Sequence, residues 1–160
     1  MISFDTGSFQ FNFRAAAIVL RDDEVLLHRL EGDDFWSAPG GRVEAGELAS
    51  EAIVRELQEE VAESAACGPL LWVVENFFTY RGNKHHEIGL YFHVHLSPES
   101  RLLKATRPIP GAEKHAPLTY AWFVRSQLCD VEVRPSFLAK ALSRPTLELR
   151  HHVHRESDAP

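Results

Sequence analysis

At 160 residues, of which 44% are apolar, the chain is long enough for one sizeable core and short for two, so a single domain over residues 1–160 is expected, with Ser157 to Pro160 as a frayed end. A net charge of −6 without any Lys/Arg block excludes a protein held to a nucleic-acid duplex by a basic face. Cys67 and Cys129 stand in no metal-ligand or redox spacing, and the longest apolar stretch, Ala15 to Leu20, is far below a membrane span; a soluble cytoplasmic protein is expected.

In chain order, Ala15 to Leu20 and Val25 to Arg29 read as two β-rich runs around Asp22-Asp23-Glu24, a hairpin. A loop follows through Trp36-Ser37-Ala38-Pro39-Gly40-Gly41. From Leu48 the period becomes helical: Ala49, Ile53, Leu57 and Val61 recur every four residues as one apolar stripe, and Gly68-Pro69 marks the latest stop. Two long strands come next, Leu70 to Tyr80 and His85 to Leu96, joined through Arg81-Gly82-Asn83-Lys84. In the second, alternation puts Ile88, Leu90, Phe92, Val94 and Leu96 on a core face, and Glu87, Gly89, Tyr91, His93 and His95 toward a cleft or solvent. Pro98 to Pro117 reads as a long loop, Tyr120 to Val124 as a strand, Pro135 to Leu142 as a short helix and Thr146 to Val153 as an edge strand.

The charge is concentrated. Between Arg42 and Glu63 stand seven glutamates and two arginines, a balance of −5 within the total of −6. Glu56, Glu59, Glu60 and Glu63 are spaced three and four apart, so like charges sit side by side on a helix, at about 0.2–0.5 kcal/mol per pair. A solvated face would interleave lysines; here Arg55 is the only base inside the helix, four residues from both Glu51 and Glu59. Carboxylates converging around one arginine suit a hard divalent cation that takes oxygen ligands. The many histidines, including His85, His86, His93 and His95, are read as structural or solvent-facing.

Gly41, five residues, Glu47, seven residues and then Arg55-Glu56-Leu57-Gln58-Glu59-Glu60, with the lead-in Trp36 to Gly40, resemble the Nudix box, G-x5-E-x7-R-E-U-x-E-E-x-G-U, where U is a large aliphatic. With six fixed positions each at roughly one in fifteen, a chance match in such a chain is on the order of one in a hundred thousand. Ala62 and Glu63 depart from the pattern, and because alanine disfavours the left-handed conformation that glycine would take there, the helix is expected to run on toward Gly68. The resemblance implies a Nudix-like α/β/α sandwich with a mixed β-sheet. It implies Mg²⁺, with Mn²⁺ as a substitute, bound by Glu56, Glu59, Glu60 and the carbonyl of Gly40. Arg55 would hold the carboxylates and Glu47 would support them. Family members draw the catalytic base from different places, so Glu59, Glu60, Glu113 in the long loop and Glu87 are all candidates. The implied reaction is hydrolysis of a phosphoanhydride in a nucleoside diphosphate linked to another moiety. Tyr80, seventeen places after Glu63, points within the family to dinucleoside polyphosphates over ADP-ribose. A (d)NTP pyrophosphohydrolase, an inactive nucleotide-binding module and a protein-docking face are the other readings, and the resemblance also allows a homodimer.

Overall fold

The computed structural model describes residues 1–112 and 117–156. Its strands are β1 (Ser3–Asp5), β2 (Gln10–Ile18), β3 (Leu20–Arg21), β4 (Glu24–Leu30), β5 (Gly40–Arg42), β6 (Ala65–Tyr80), β7 (Asn83–Leu96), β8 (Ile109–Pro110), β9 (Leu118–Val124) and β10 (Arg150–Arg155). The helices are α1 (Ala49–Val61) and α2 (Phe137–Leu142), with a 3₁₀ turn over Arg125–Asp130. A mixed sheet runs in the order β1-β2-β7-β6-β10, with β5 added beside β2, and a second sheet runs β3-β4-β9-β8. Within the first, β2 lies parallel to β7 and β10 parallel to β6.

One strand divides the interior. Ala15, Ala17 and Val19 pack with Ala52, Ile53, Leu57 and Val61 of α1, whereas Ala16 and Ile18 pack with Trp72, Val74, Tyr91 and, from α2, Leu138 and Leu142. Both faces of β2 are therefore covered, which is why its run is apolar without alternation. A helix on each side gives the expected α/β/α sandwich. Each fully buried Ile or Leu contributes about 1.5–3 kcal/mol.

Three local expectations are corrected. The run Ala15 to Leu20 does not form one arm of a hairpin: the chain leaves the first sheet at Val19, so only Leu20 and Arg21 pair with Val25 and Glu24, and β4 takes β9 as its long partner. The β7 face carrying Tyr91 is only partly left to a cleft or solvent: α2 covers it at Tyr91, which is buried, while His95 at its far end is exposed as expected. Finally, α1 does not continue past Ala62. Ala62 itself adopts the left-handed conformation (φ 57°, ψ 36°), and its N–H and that of Glu63 bond back to Gln58 and Leu57 carbonyls.

Tertiary contacts override the local preference there. The Glu63 side chain is buried and faces Arg101 (Nε to Oε1 3.3 Å), while Arg101 Nη2 donates to the Val61 carbonyl at 3.0 Å. These bonds, and the start of β6 at Ala65, outweigh the roughly 1–2 kcal/mol that an L-residue loses in this conformation. Ala62→Gly is therefore expected to stabilise the fold by about 0.5–1 kcal/mol, after the extra backbone entropy of glycine is deducted. Equilibrium urea unfolding of both forms checks this; an unchanged or lower midpoint would contradict it.

The long hairpin forms where its turn residues stand. Tyr80 pairs with Asn83 across a two-residue turn in which Arg81 and Gly82 both have positive φ. β6 begins earlier than Leu70 because a register irregularity between Cys67 and Leu70 absorbs Gly68-Pro69. Residues after Pro98 are held rather than idle: Leu102 is buried, its carbonyl accepts the Trp122 indole N–H at 2.8 Å, and Arg21 donates to the Leu103 and Ala105 carbonyls. The frayed end expected at Ser157 to Pro160 lies outside the described residues.

Candidate active site

Two elements meet at the acidic helix. β5 pairs antiparallel with β2, setting Gly40 opposite Ala16 and Gly41 opposite Ala15. Backbone closes on Gly40 and a side-chain carboxylate closes on Gly41. A Cβ on Gly40 would stand 2.1 Å from the Ala15 carbonyl oxygen, and one on Gly41 would stand 2.1 Å from the Glu56 carboxyl carbon. The Glu56 carboxylate thus lies directly against the backbone of the glycine pair. α1 brings it there because Ile53 and Leu57 bury the opposite side of the helix.

Arg55 organises the face. Its Nε and Nη2 donate to the two oxygens of Glu47 at 2.8 and 3.0 Å, and its Nη1 donates to Glu56 at 2.8 Å and Glu59 at 3.1 Å. Nη2 also reaches the Arg42 carbonyl at 3.3 Å, tying helix to β5. The bond from Arg55, followed by one from the Glu44 N–H, holds Glu47 down to about 2, and the same bond to Glu47 raises Arg55 above its ordinary value. Three carboxylates share one guanidinium, so the face stays negative.

Glu60 turns elsewhere. The Tyr120 hydroxyl donates to it at 2.7 Å, and His28 Nδ1 stands 3.8 Å away. Burial first, then the Glu60 charge, pushes the Tyr120 phenol far above its ordinary range. Burial, assisted by the Arg14 charge, pulls His28 down to about 3, so this ring is neutral near pH 7. Neither residue stood out in the sequence; the only signal was a lone histidine ending the apolar run Val25-Leu26-Leu27. An unfolded histidine protonates near 6.5. Stability due to neutral His28 is therefore fully present above that value and lost as pH falls from 6.5 toward 3. We expect its ring NMR resonances to stay flat between about pH 8 and 5; a midpoint near the ordinary value would refute the burial account.

Not every candidate joins this constellation. Glu87 shares its face with Tyr91 and is neighboured by Asn76 and Arg14; burial raises its carboxyl above the usual range, with Arg14 opposing. Arg14 in turn donates to the Ala38 carbonyl at 3.2 Å. Glu113 lies outside the described residues, although Ala112 before it donates to the Glu60 carbonyl at 2.6 Å. The Tyr80 hydroxyl donates to Asp33, with its ring edge-on to Phe35, so its polar end is already engaged. His85 and His86 stack on Phe78 and Phe77, at 4.9 and 4.3 Å between centroids.

Among the described residues no three His, Cys, Asp or Glu side chains are gathered closely enough to hold a metal ion. Glu56 and Glu59 accept from Arg55, and Glu60 accepts from Tyr120. The donor set still suits a hard cation: carboxylate oxygens of one helix face, with Glu56 seated against Gly41, where a Cβ would displace it.

A family model of the NUDIX domain matches residues 11–140. The chain belongs to the Nudix family. An RNA pyrophosphohydrolase of Halorhodospira halophila is 40% identical over 78 residues, 48% of this chain and 42% of the relative. An 8-oxo-dGTP diphosphatase of Haemophilus influenzae is 51% identical over 54 residues, 30% of this chain and 40% of the relative. The chain thus spans less than half the length of each of these relatives. The crystal structure of a MutT NUDIX hydrolase from Burkholderia pseudomallei superposes with a TM-score of 0.61 at 24% identity, covering 86% of this chain and 99% of that one. This likeness shows the Nudix fold. Nudix enzymes generally use divalent metal ions, and among the described residues no helix is long and apolar enough to cross a membrane.

Proposed function

We propose that this Nudix chain hydrolyses a phosphoanhydride bond in a nucleoside diphosphate linked to another moiety, such as a dinucleoside polyphosphate, ADP-ribose or a nucleotide sugar, with Mg²⁺ or, as a substitute, Mn²⁺. One observation carries this reading: Arg55 gathers Glu47, just ahead of α1, with Glu56 and Glu59 into an acidic face that abuts Gly41 without being neutralised. Such a face repels nucleotide phosphates unless a cation stands between them, since unlike charges must offset about 4 kcal/mol at 4 Å and an effective dielectric of about 20. Both curated relatives are named for cleaving diphosphate links, which supports the reaction class.

Glu56, Glu59, Glu60 and the Gly40 carbonyl would hold the ion. When bound, the ion supplies charge neutralisation at the phosphates and a more acidic water. Glu59 is the best-placed base, its side chain 60% exposed and held, among the described residues, at the end of Arg55. It takes a proton from the attacking water as oxygen bonds to phosphorus, and the leaving phosphate keeps the electrons of the broken P–O bond. Glu113 stays a second candidate for this role. Glu87, on the β7 face that carries Tyr91, is not proposed for it.

A second reading, hydrolysis of a (d)NTP, draws support from the 8-oxo-dGTP diphosphatase relative and from the engagement of Tyr80 by Asp33. A panel of diadenosine polyphosphates, ADP-ribose, nucleotide sugars and (d)NTPs, with and without Mg²⁺, decides between them. Metal-dependent turnover of one class supports that class. Binding without turnover makes the chain an inactive nucleotide-binding module, and indifference to every nucleotide leaves α1 as a protein-docking face.

A further inference from the structure

On the face of the first sheet opposite α1, a cavity of about 210 Å³ opens between α2 and β10. Its inner wall is aromatic: Trp72 and Phe137, with the His152 ring stacked on Phe137 at 4.6 Å and edge-on to Trp72. Its rim is cationic. Lys140, Arg144 and Arg150 line it against a single carboxylate, Glu148, so three positive charges less one negative leave +2, in a chain whose total is −6.

Glu148 faces Arg150 at 3.2 Å; among the described residues neither Lys140 nor Arg144 has a carboxylate partner. Two carbonyls at and just past the end of α2, which would repel an anion, are engaged by a cation. Arg125 donates to the Leu142 carbonyl at 2.7 Å and also to that of Arg144. His152 Nε2 is shielded from solvent and has no hydrogen-bond partner among the described residues. Burial, then the charges of Arg144, Arg150 and His151, lowers the His152 imidazole.

We infer that this cavity is a second ligand site, separate from the acidic helix, which binds a phosphate group as its dianion. Charge selects the class: a phosphate monoester carries about −1.5 to −2 near neutral pH, matching the +2 of the lining, and guanidinium forks fit its oxygens. Size agrees, since the space falls below the roughly 300 Å³ at which drug-sized ligands are housed and admits a phosphate with little of what it is attached to. Inorganic phosphate and a nucleoside monophosphate offer the same chemistry. The site does not depend on the hydrolytic reading.

The test is histidine-ring NMR of the full chain in EDTA, so that no divalent ion can bring phosphate to the acidic face. Inorganic phosphate, adenosine 5′-monophosphate and adenosine are added separately. Saturable movement of the His152 resonances by the first two, with none by adenosine, is the expected result; tighter binding of the nucleotide would identify the nucleoside as part of the ligand, and equal binding would assign the site to phosphate alone. Lys140→Gln with Arg144→Gln, both exposed, should leave the spectrum folded and weaken binding about tenfold or more, one such contact being worth about a decade. A His152 ring that ignores phosphate, or equal affinity in the double variant, overturns the assignment.

Discussion

Glu59→Gln is expected to lower kcat for the best nucleotide substrate by about 10²–10⁴-fold, the span that one positioned acid–base group contributes. Stability should hardly change. The Glu59 carboxylate is 60% exposed and its bond to Arg55 is a surface i,i+4 pair, worth a few tenths of a kcal/mol and screened by salt. The substitution also removes one of several crowded like charges. Steady-state kinetics beside thermal melts separate the two effects: a kcat within about threefold of the parent would exclude Glu59 as base and turn attention to Glu113. Loss of activity together with the fold would say nothing for chemistry, which is why the melt belongs to the experiment.

The glycine pair offers a second large and asymmetric result. Gly40→Ala places a methyl 2.1 Å from the Ala15 oxygen and 2.8 Å from the Ala16 Cα, both backbone atoms of a central strand, at a φ of +149°. Nothing there can yield, so a loss of about 4 kcal/mol or more is expected, enough to unfold most domains. Gly41→Ala meets instead the carboxyl end of Glu56. That group can swing aside, leaving the fold near parental stability but displacing Glu56 from its bond to Arg55. Activity should fall about 10²-fold, as for a misplaced positioning group. Denaturant unfolding and kinetics on both variants check the contrast. A fully active Gly41→Ala protein would mean that the seat of Glu56 is not needed.

The Nudix assignment was legible in the sequence because its carriers are local. Spacing along one helix sets Arg55 one turn before Glu59, and Glu56 beside it and Glu47 just ahead of the helix join the same network. The long hairpin was equally plain, since a Gly-containing turn between two β-rich runs is a local signal. These parts depend on residues within a turn or two of one another.

Whatever depended on distant partners escaped. Ala62 takes a conformation its own chemistry disfavours because Glu63 and Val61 find Arg101, about forty positions away. The two halves of the run Ala15 to Arg21 join different sheets, a choice made by β7 and β4 and invisible in an unbroken apolar stretch. Tyr120 and His28 reach Glu60 only because two strands of the second sheet align beside the helix. The amino-acid order alone thus determined which charges stand together on α1 and what ion chemistry they suit. Tertiary structure decided what holds each charge in place, because hydrogen-bond partners and burial are set by packing between segments that the sequence keeps far apart.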